Sequence, residues 1–140
     1  MSGSSRFTVA VHILTLLAHE EGRAVTSDYI AGSVNTNPVV IRRALGLLSK
    51  AKLVTSTEGA GGGTVLARPP GRITLADVFK AVEQEELFSM PRKDPNPLCP
   101  VGRSVQGVVG EHSARFEKAV QREMKRVSIA DILADVRATK

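Results

Sequence analysis

Arg42 and Arg43 stand side by side in the stretch NTNPVVIRRALGLLSKAKLV, which runs from Asn35 to Val54. A guanidinium is a planar fork that keeps its charge, and it donates paired hydrogen bonds to a carboxylate, a phosphate, or the O6 and N7 of a guanine. What it reaches depends on where it points. Ile41, Ala44, Leu45, Leu48 and Ala51 recur at helical spacing and form one apolar side. Val39, Arg43, Gly46 and Lys50 lie opposite, with Thr36, Val40 and Arg42 on the flanks near the amino end. The spacing predicts a helix from Asn37 to Lys52 that turns both arginines away from the core.

Cys99 is the other residue with chemistry of its own. Pro100 suits the first position of a helix, which makes Cys99 its cap. There the helix dipole, with Lys93 and Arg103 nearby in sequence, favours the thiolate, so Cys99 is a candidate sensor of oxidants or electrophiles. A buried, inert thiol is the alternative. One cysteine forms neither an internal disulfide nor a cysteine-paired zinc site. His12, His19 and His112 lack metal-ligand spacing, and no Ser-His-Asp set or carboxylate pair is recognisable, so neither a metal, a cofactor nor an enzyme is expected. GAGGG lacks the Lys-Ser/Thr of a phosphate loop.

The 140 residues suffice for one core with an appended arm. With 42% hydrophobic, 24% charged, only 4% aromatic residues and no Trp, the composition suits packed helices with aliphatic interiors. A net charge of +5 favours an anionic partner. The apolar run near the amino end is far short of the roughly 20 residues that a membrane span needs, and no cleavage site follows it. A cytoplasmic protein without a membrane partner is expected.

Six helices and a hairpin must hold these side chains. Ser4 or Ser5 is expected to cap a first helix with Phe7, Val11, Leu14, Leu17 and Ala18 on its buried face, ended by Gly22. Thr26 or Ser27 starts a short helix through Ser33, and a turn over Val34 to Thr36 leads to the arginine helix. LVTSTE and TVLARPP read as strands joined at GAGGG, the second stopped by Pro69 and Pro70. Thr74, with Asp77 three positions on, caps ITLADVFKAVE. SMPRKDPNPLCP, with four prolines, reads as a connector. A long helix follows from Pro100 to about Arg126, and Ser128 with Asp131 caps a last helix, which would fold onto its own domain or a partner's.

On the long helix Val101, Val105, Val108, His112, Phe116, Val120, Met124 and Val127 step by three and four. A helix of about 25 residues is about 38 Å long, more than a small domain is wide, so the stripe is expected to meet a copy of itself. Val101, Val105, Val108, His112, Phe116 and Val120 are the expected dimer interface, with His112 as an interface residue in preference to a proton sensor.

The fold class is thus mainly α with a small β-hairpin wing: a winged helix-turn-helix plus a long carboxyl-side dimerisation helix. Residues 1–86 are expected to form the DNA-binding domain, 87–99 the connector, and 100–140 the dimerisation helix and last helix. In such a domain the second helix of the turn unit enters the major groove, so Arg42 and Arg43 are the expected base readers. Lys50, Lys52, Arg6 and Ser5 hold phosphates. Ser27, Thr36, Asn37, Pro38, Val39, Gly61, Gly62 and Thr64 complete the expected face for double-stranded DNA.

The segments SVNTNPVVIRRALGLLSKAKLVTST and GAGGGTVLARPPGRITLADVFKAVE resemble the bacterial Rrf-two (Rrf2) family of winged-helix regulators, which includes IscR, NsrR and CymR. EELF and NPLCPVG look closest to its cluster-free YwnA-like members. The resemblance covers nearly the full chain. It implies a homodimer with crossing long helices, repressing transcription from a roughly palindromic operator; a small-molecule or redox effector is a further expected partner. Two positions depart from the pattern. The cluster-binding branch has three cysteines where this chain has only Cys99, so no iron-sulfur cluster is expected. Where the family's wing commonly has an arginine and an aromatic, this chain has Glu58 and Thr64, and a carboxylate there repels phosphate. The alternative is a protein-interaction module that keeps the fold without binding DNA.

Overall fold

The computed structural model describes residues 4–83 and 86–139. In chain order these form α1 (Ser4–His19), α2 (Ser27–Val34), α3 (Pro38–Lys50), strands β1 (Val54–Thr57) and β2 (Gly63–Leu66), a 3-10 turn (Pro70–Arg72), α4 (Leu75–Val82), α5 (Pro100–Lys125) and α6 (Ile129–Ala138).

α1 is the central post. It packs against α2, α3, α4 and α6 and against β2, so it is buried on more than one side. Ala10, Ile13 and Leu14 have no exposed surface, whereas Phe7 and Val11, expected at the centre of the buried face, are only half-buried. Phe7 instead meets the edge of Phe79 on α4, with ring centroids 5.7 Å apart. Ser4 and Ser5 already lie inside the helix, and its cap position lies outside the described residues.

Short polar side chains fix where the next helices begin. The Thr26 hydroxyl accepts the Tyr29 amide at 3.2 Å and starts α2, which ends where Asn35 takes the left-handed conformation. The Asn37 carboxamide oxygen accepts the Val39 amide at 2.8 Å, and Pro38, with no amide to satisfy, opens α3. α3 stops at Lys50, two residues before the expected end. There the Lys52 amide donates to the Ser49 carbonyl and the Leu53 amide to the Leu48 carbonyl, each at 2.9 Å, with Lys52 at φ 62°. That exit drives Leu53, 1% exposed, into the core and starts the wing.

The carboxyl-terminal helix settles an alternative that the sequence leaves open. α6 returns to its own head, where Ile129 and Leu133 join the same cluster as Ile13, Ile41, Leu48 and Val78. A short antiparallel bridge pairs Thr74 with Ser128. The Leu75 amide donates to Val127 and the Ile129 amide to Ile73, each at 2.9 Å. Each of the two bridged residues caps a helix reciprocally: Thr74 with Asp77 on α4, and Ser128 with Asp131 on α6. Two helix starts about 50 residues apart in sequence are thereby tied into one knot.

Thr74→Ala and Ser128→Ala should each cost about 1 kcal/mol of unfolding free energy. Because the two caps share a bridge, the double variant should lose a different amount from the sum, which a denaturant double-mutant cycle reads out.

Candidate nucleic-acid interface

Burial of Ile41, Leu45 and Leu48 sets the roll of α3 and leaves its opposite side in solvent. Arg42, Arg43, Gly46 and Lys50 are exposed, and Val39 and Val40 are 47% and 42% exposed. Arg23, Arg68 and Arg126 have carboxylate partners. Arg42 and Arg43 have no such partner among the described residues. From Tyr29 to Thr57 the chain carries four cations and no carboxylate, so the face is uniformly positive.

The other expected contact residues divide. Ser27, Thr36, Asn37 and Pro38 lie at the start of α2 and in the turn into α3, beside the arginines in the turn unit. Asn37 spends its side-chain oxygen on the α3 cap. Ser5 and Arg6 sit at the first turn of α1, where Phe7 meets α4, so they belong to another helix end.

The wing pairs Val54 with Leu66 through Thr57 with Gly63 in antiparallel register. Sequence reading missed its third member. Val25 exchanges both backbone hydrogen bonds with Thr64, at 3.0 and 2.8 Å, and so ties the α1–α2 loop to the hairpin. A single apolar residue between Ala24 and Thr26 has no period to announce this. It also explains Gly63, where a Cβ would lie 2.8 Å from Val25 backbone atoms; Gly62 is required by the turn itself, since a Cβ there would run into the Thr57 carbonyl oxygen. Gly61, with φ 75°, is exposed at the tip. Thr64 is 3% exposed, and its hydroxyl pairs with that of Ser56 at 2.9 Å. Its side chain is a strut inside the wing, and the expectation that it faces DNA does not fit this placement. Glu58 is exposed at the base of the turn.

Tyr29 was not singled out by sequence. It stands 57% exposed in the first turn of α2, with its hydroxyl donating to Glu20 at 3.3 Å, and the same carboxylate holds Arg23 at 2.9 Å.

Away from the head, α5 has only one buried residue, Ser113. Val101, Val105, Val108, Phe116 and Val120 are 69%, 39%, 53%, 52% and 40% exposed. His112 is exposed too, with its ring tilted against Phe116 and its Nδ1 paired with Arg115. At the helix start Cys99 is exposed and caps as expected, its sulfur accepting the Gly102 amide at 3.4 Å. The Gly102 and then the Val101 amide lower its pKa from the ordinary thiol value. Backbone amides, and not the side chains of Lys93 or Arg103, do this.

A helix with two free guanidiniums, seated by the short helix before it and followed by a glycine-tipped hairpin, defines a winged helix-turn-helix DNA-binding protein. The chain belongs to the Rrf2 family of transcriptional regulators: the family model, described as "Iron-dependent Transcriptional regulator", matches residues 3–135. It is 42% identical over 131 residues to YwnA of Bacillus subtilis (strain 168), provisionally described as an HTH-type transcriptional regulator, covering 93% of this chain and 96% of that protein. Among solved structures it is similar to a provisionally described DNA-binding protein, at 38% identity and a TM-score of 0.74 over 91% of this chain and 98% of that one. It is also similar to T. potens IscR, at 25% identity and a TM-score of 0.72 over 100% of this chain and 92% of that one. These regulators are not enzymes, and the chain is a DNA-binding transcriptional regulator. No helix among the described residues is long and apolar enough to cross a membrane.

Iron in the family's description finds no matching donor set here. Among the described residues no three His, Cys, Asp or Glu side chains are grouped to hold a metal, and the lone thiol is engaged as a helix cap. An iron-sulfur cluster needs several thiolates converging. The residues of this chain do not fit the group.

Two outcomes follow from this geometry. Alkylation of Cys99 by iodoacetamide, followed against pH, should have its midpoint below that of the same cysteine in the denaturant-unfolded chain; a midpoint at or above it contradicts the cap. Glu58→Gln should tighten binding to duplex DNA by roughly two- to five-fold in dilute salt, with the gain fading as salt is added.

Proposed function

We propose that the chain acts as a homodimeric cytoplasmic repressor that places one α3 in each of two successive major grooves of a roughly palindromic operator. The observation that carries this reading is the pair of unpartnered guanidiniums on the outward face of a helix whose roll the core fixes. Arg42 and Arg43 read bases, Lys50 and Lys52 hold phosphates, and Gly61 and Gly62 bring the wing backbone close to the duplex.

Surface area supports the pairing of two copies. A compact monomer of 14.9 kDa has an accessible surface of about 7,000 Å², and this chain has 9662 Å². The excess, roughly 2,700 Å², is more than the ~1,000 to 2,500 Å² that an obligate homodimer removes from each subunit, so the extended arm leaves ample surface for a second copy to cover. Val101, Val105, Val108, His112, Phe116 and Val120 form the part of the arm that the second copy covers. Residues 100–125 act as the arm, and the connector before them joins it to the head.

Cys99 is where an oxidant or electrophile acts in this reading. Modifying the exposed sulfur removes the cap of α5, the helix that sets how far apart the two heads stand.

Selection from random duplexes with the reduced protein should return a sequence with twofold symmetry. Arg42→Ala and Arg43→Ala should each weaken binding to it by roughly 5- to 100-fold, the scale of a lost base contact, and weaken binding to unrelated DNA much less. Alkylation should alter operator affinity in the parent and not in Cys99→Ser. A strictly monomeric chain, or one that binds no duplex even in dilute buffer, ends the reading.

A further inference from the structure

We propose that α3 reads its operator partly by close apolar contact. Val39 packs on the 5-methyl group of a thymine near the base that Arg43 meets, and Gly46 is the bare spot that lets the helix lie that close; this rests on the DNA-reading function proposed above. Three residues of α3 do nothing for the fold that holds them. Val39 and Val40 are 47% and 42% exposed and stand outside the core cluster and the side chains packed on it. At Gly46, inside a regular helix of 13 residues, a Cβ would meet nothing within 4 Å among the described residues.

Each of the three also weakens the helix it sits in. A valine loses side-chain freedom there, and an interior glycine has more backbone freedom to lose than an alanine. Alanine fits at position 46 without a clash, and positions 39 and 40 face solvent, so packing within this chain accounts for none of them. Their spacing does. Val39, Arg43, Gly46 and Lys50 follow at intervals of four, three and four, in one line along the side opposite Ile41, Leu45 and Leu48. Val39 and Arg43 are thus neighbours about 6 Å apart along the helix axis, a distance that spans about two base-pair steps of a duplex.

Thymine is the occupant that the surroundings select. In the major groove its C5-methyl is the apolar group that a base edge presents, and apolar side chains are what meet it. Arg42, Arg43, Lys50 and Lys52 frame the valines, and no carboxylate lies between Tyr29 and Thr57. Small apolar spots inside a cationic field match a polyanion whose groove carries methyl groups. The contact also needs depth, because a radial gap of about 1 Å forfeits up to about half of a dispersion contact. The missing side chain at Gly46, two turns along the same line, gives the helix that depth.

The test uses the full chain and the operator selected from random duplexes, with each thymine near the base read by Arg43 exchanged in turn for deoxyuridine, which lacks only the methyl. At one position the exchange should weaken binding by the parent roughly three- to six-fold, the scale of one buried methyl, and leave binding by Val39→Ser unchanged. Gly46→Ala should raise the thermal midpoint and yet weaken operator binding roughly five-fold or more, a pairing of signs that a purely structural glycine does not give. If the parent binds thymine and deoxyuridine operators equally well, or the operator has no thymine near that base, the inference falls; loss of binding in Arg42→Ala and Arg43→Ala then still upholds the DNA-reading function. If Gly46→Ala binds as tightly as the parent, the close approach falls and the methyl contact with it. If no duplex is bound at all, the proposed function falls and this inference with it.

Discussion

The seating of α3 is the constraint on which the rest depends. Ile41, Leu45 and Leu48 enter a core built around α1, and a helix held by three buried residues along one stripe cannot roll. Its opposite side then faces water whatever it carries. Here it carries two guanidiniums and no carboxylate to quench them. One packing decision sets both sides: the apolar side is fixed by burial, and the cationic side is its geometric complement.

Everything around α3 serves to hold that orientation. Asn37 fixes where it begins and the turn at Lys52 where it ends, so the register of Arg42 and Arg43 along the helix is set at both ends. The wing is braced twice, by Leu53 buried beneath it and by Val25 paired to Thr64. Behind, the bridge between Thr74 and Ser128 fastens α4 and α6 together. The head is thus one cooperative core in which the last helix of the chain supports the first. The arm leaves from this core and comes back to it.

That return gives the arm a defined mechanical meaning. α5 begins at a capped, exposed thiol and ends in the short link to α6, whose Ile129 is fully buried. Its carboxyl end is therefore anchored in the core of its own head, while its amino end is tied to the connector through Asn96 and Gly102. A helix of 26 residues with one buried side chain packs on its own head through α4 and leaves its apolar stripe in solvent.

Much of this was legible in the sequence. The helices, both Thr/Ser capping boxes, the Asn-Pro start of α3 and the outward arginines are local: each depends on residues within about four positions, where helical periodicity and capping geometry leave a pattern. The tertiary structure alone decided the burial of Thr64, the pairing of Val25 with the wing, the return of α6 to the head and the lie of Phe88 against Phe116. These contacts join segments far apart in the chain, and apart from neighbours no spacing rule records which distant backbone or ring will come alongside. Local rules say which face of an element is apolar; only the packed core says what that face meets.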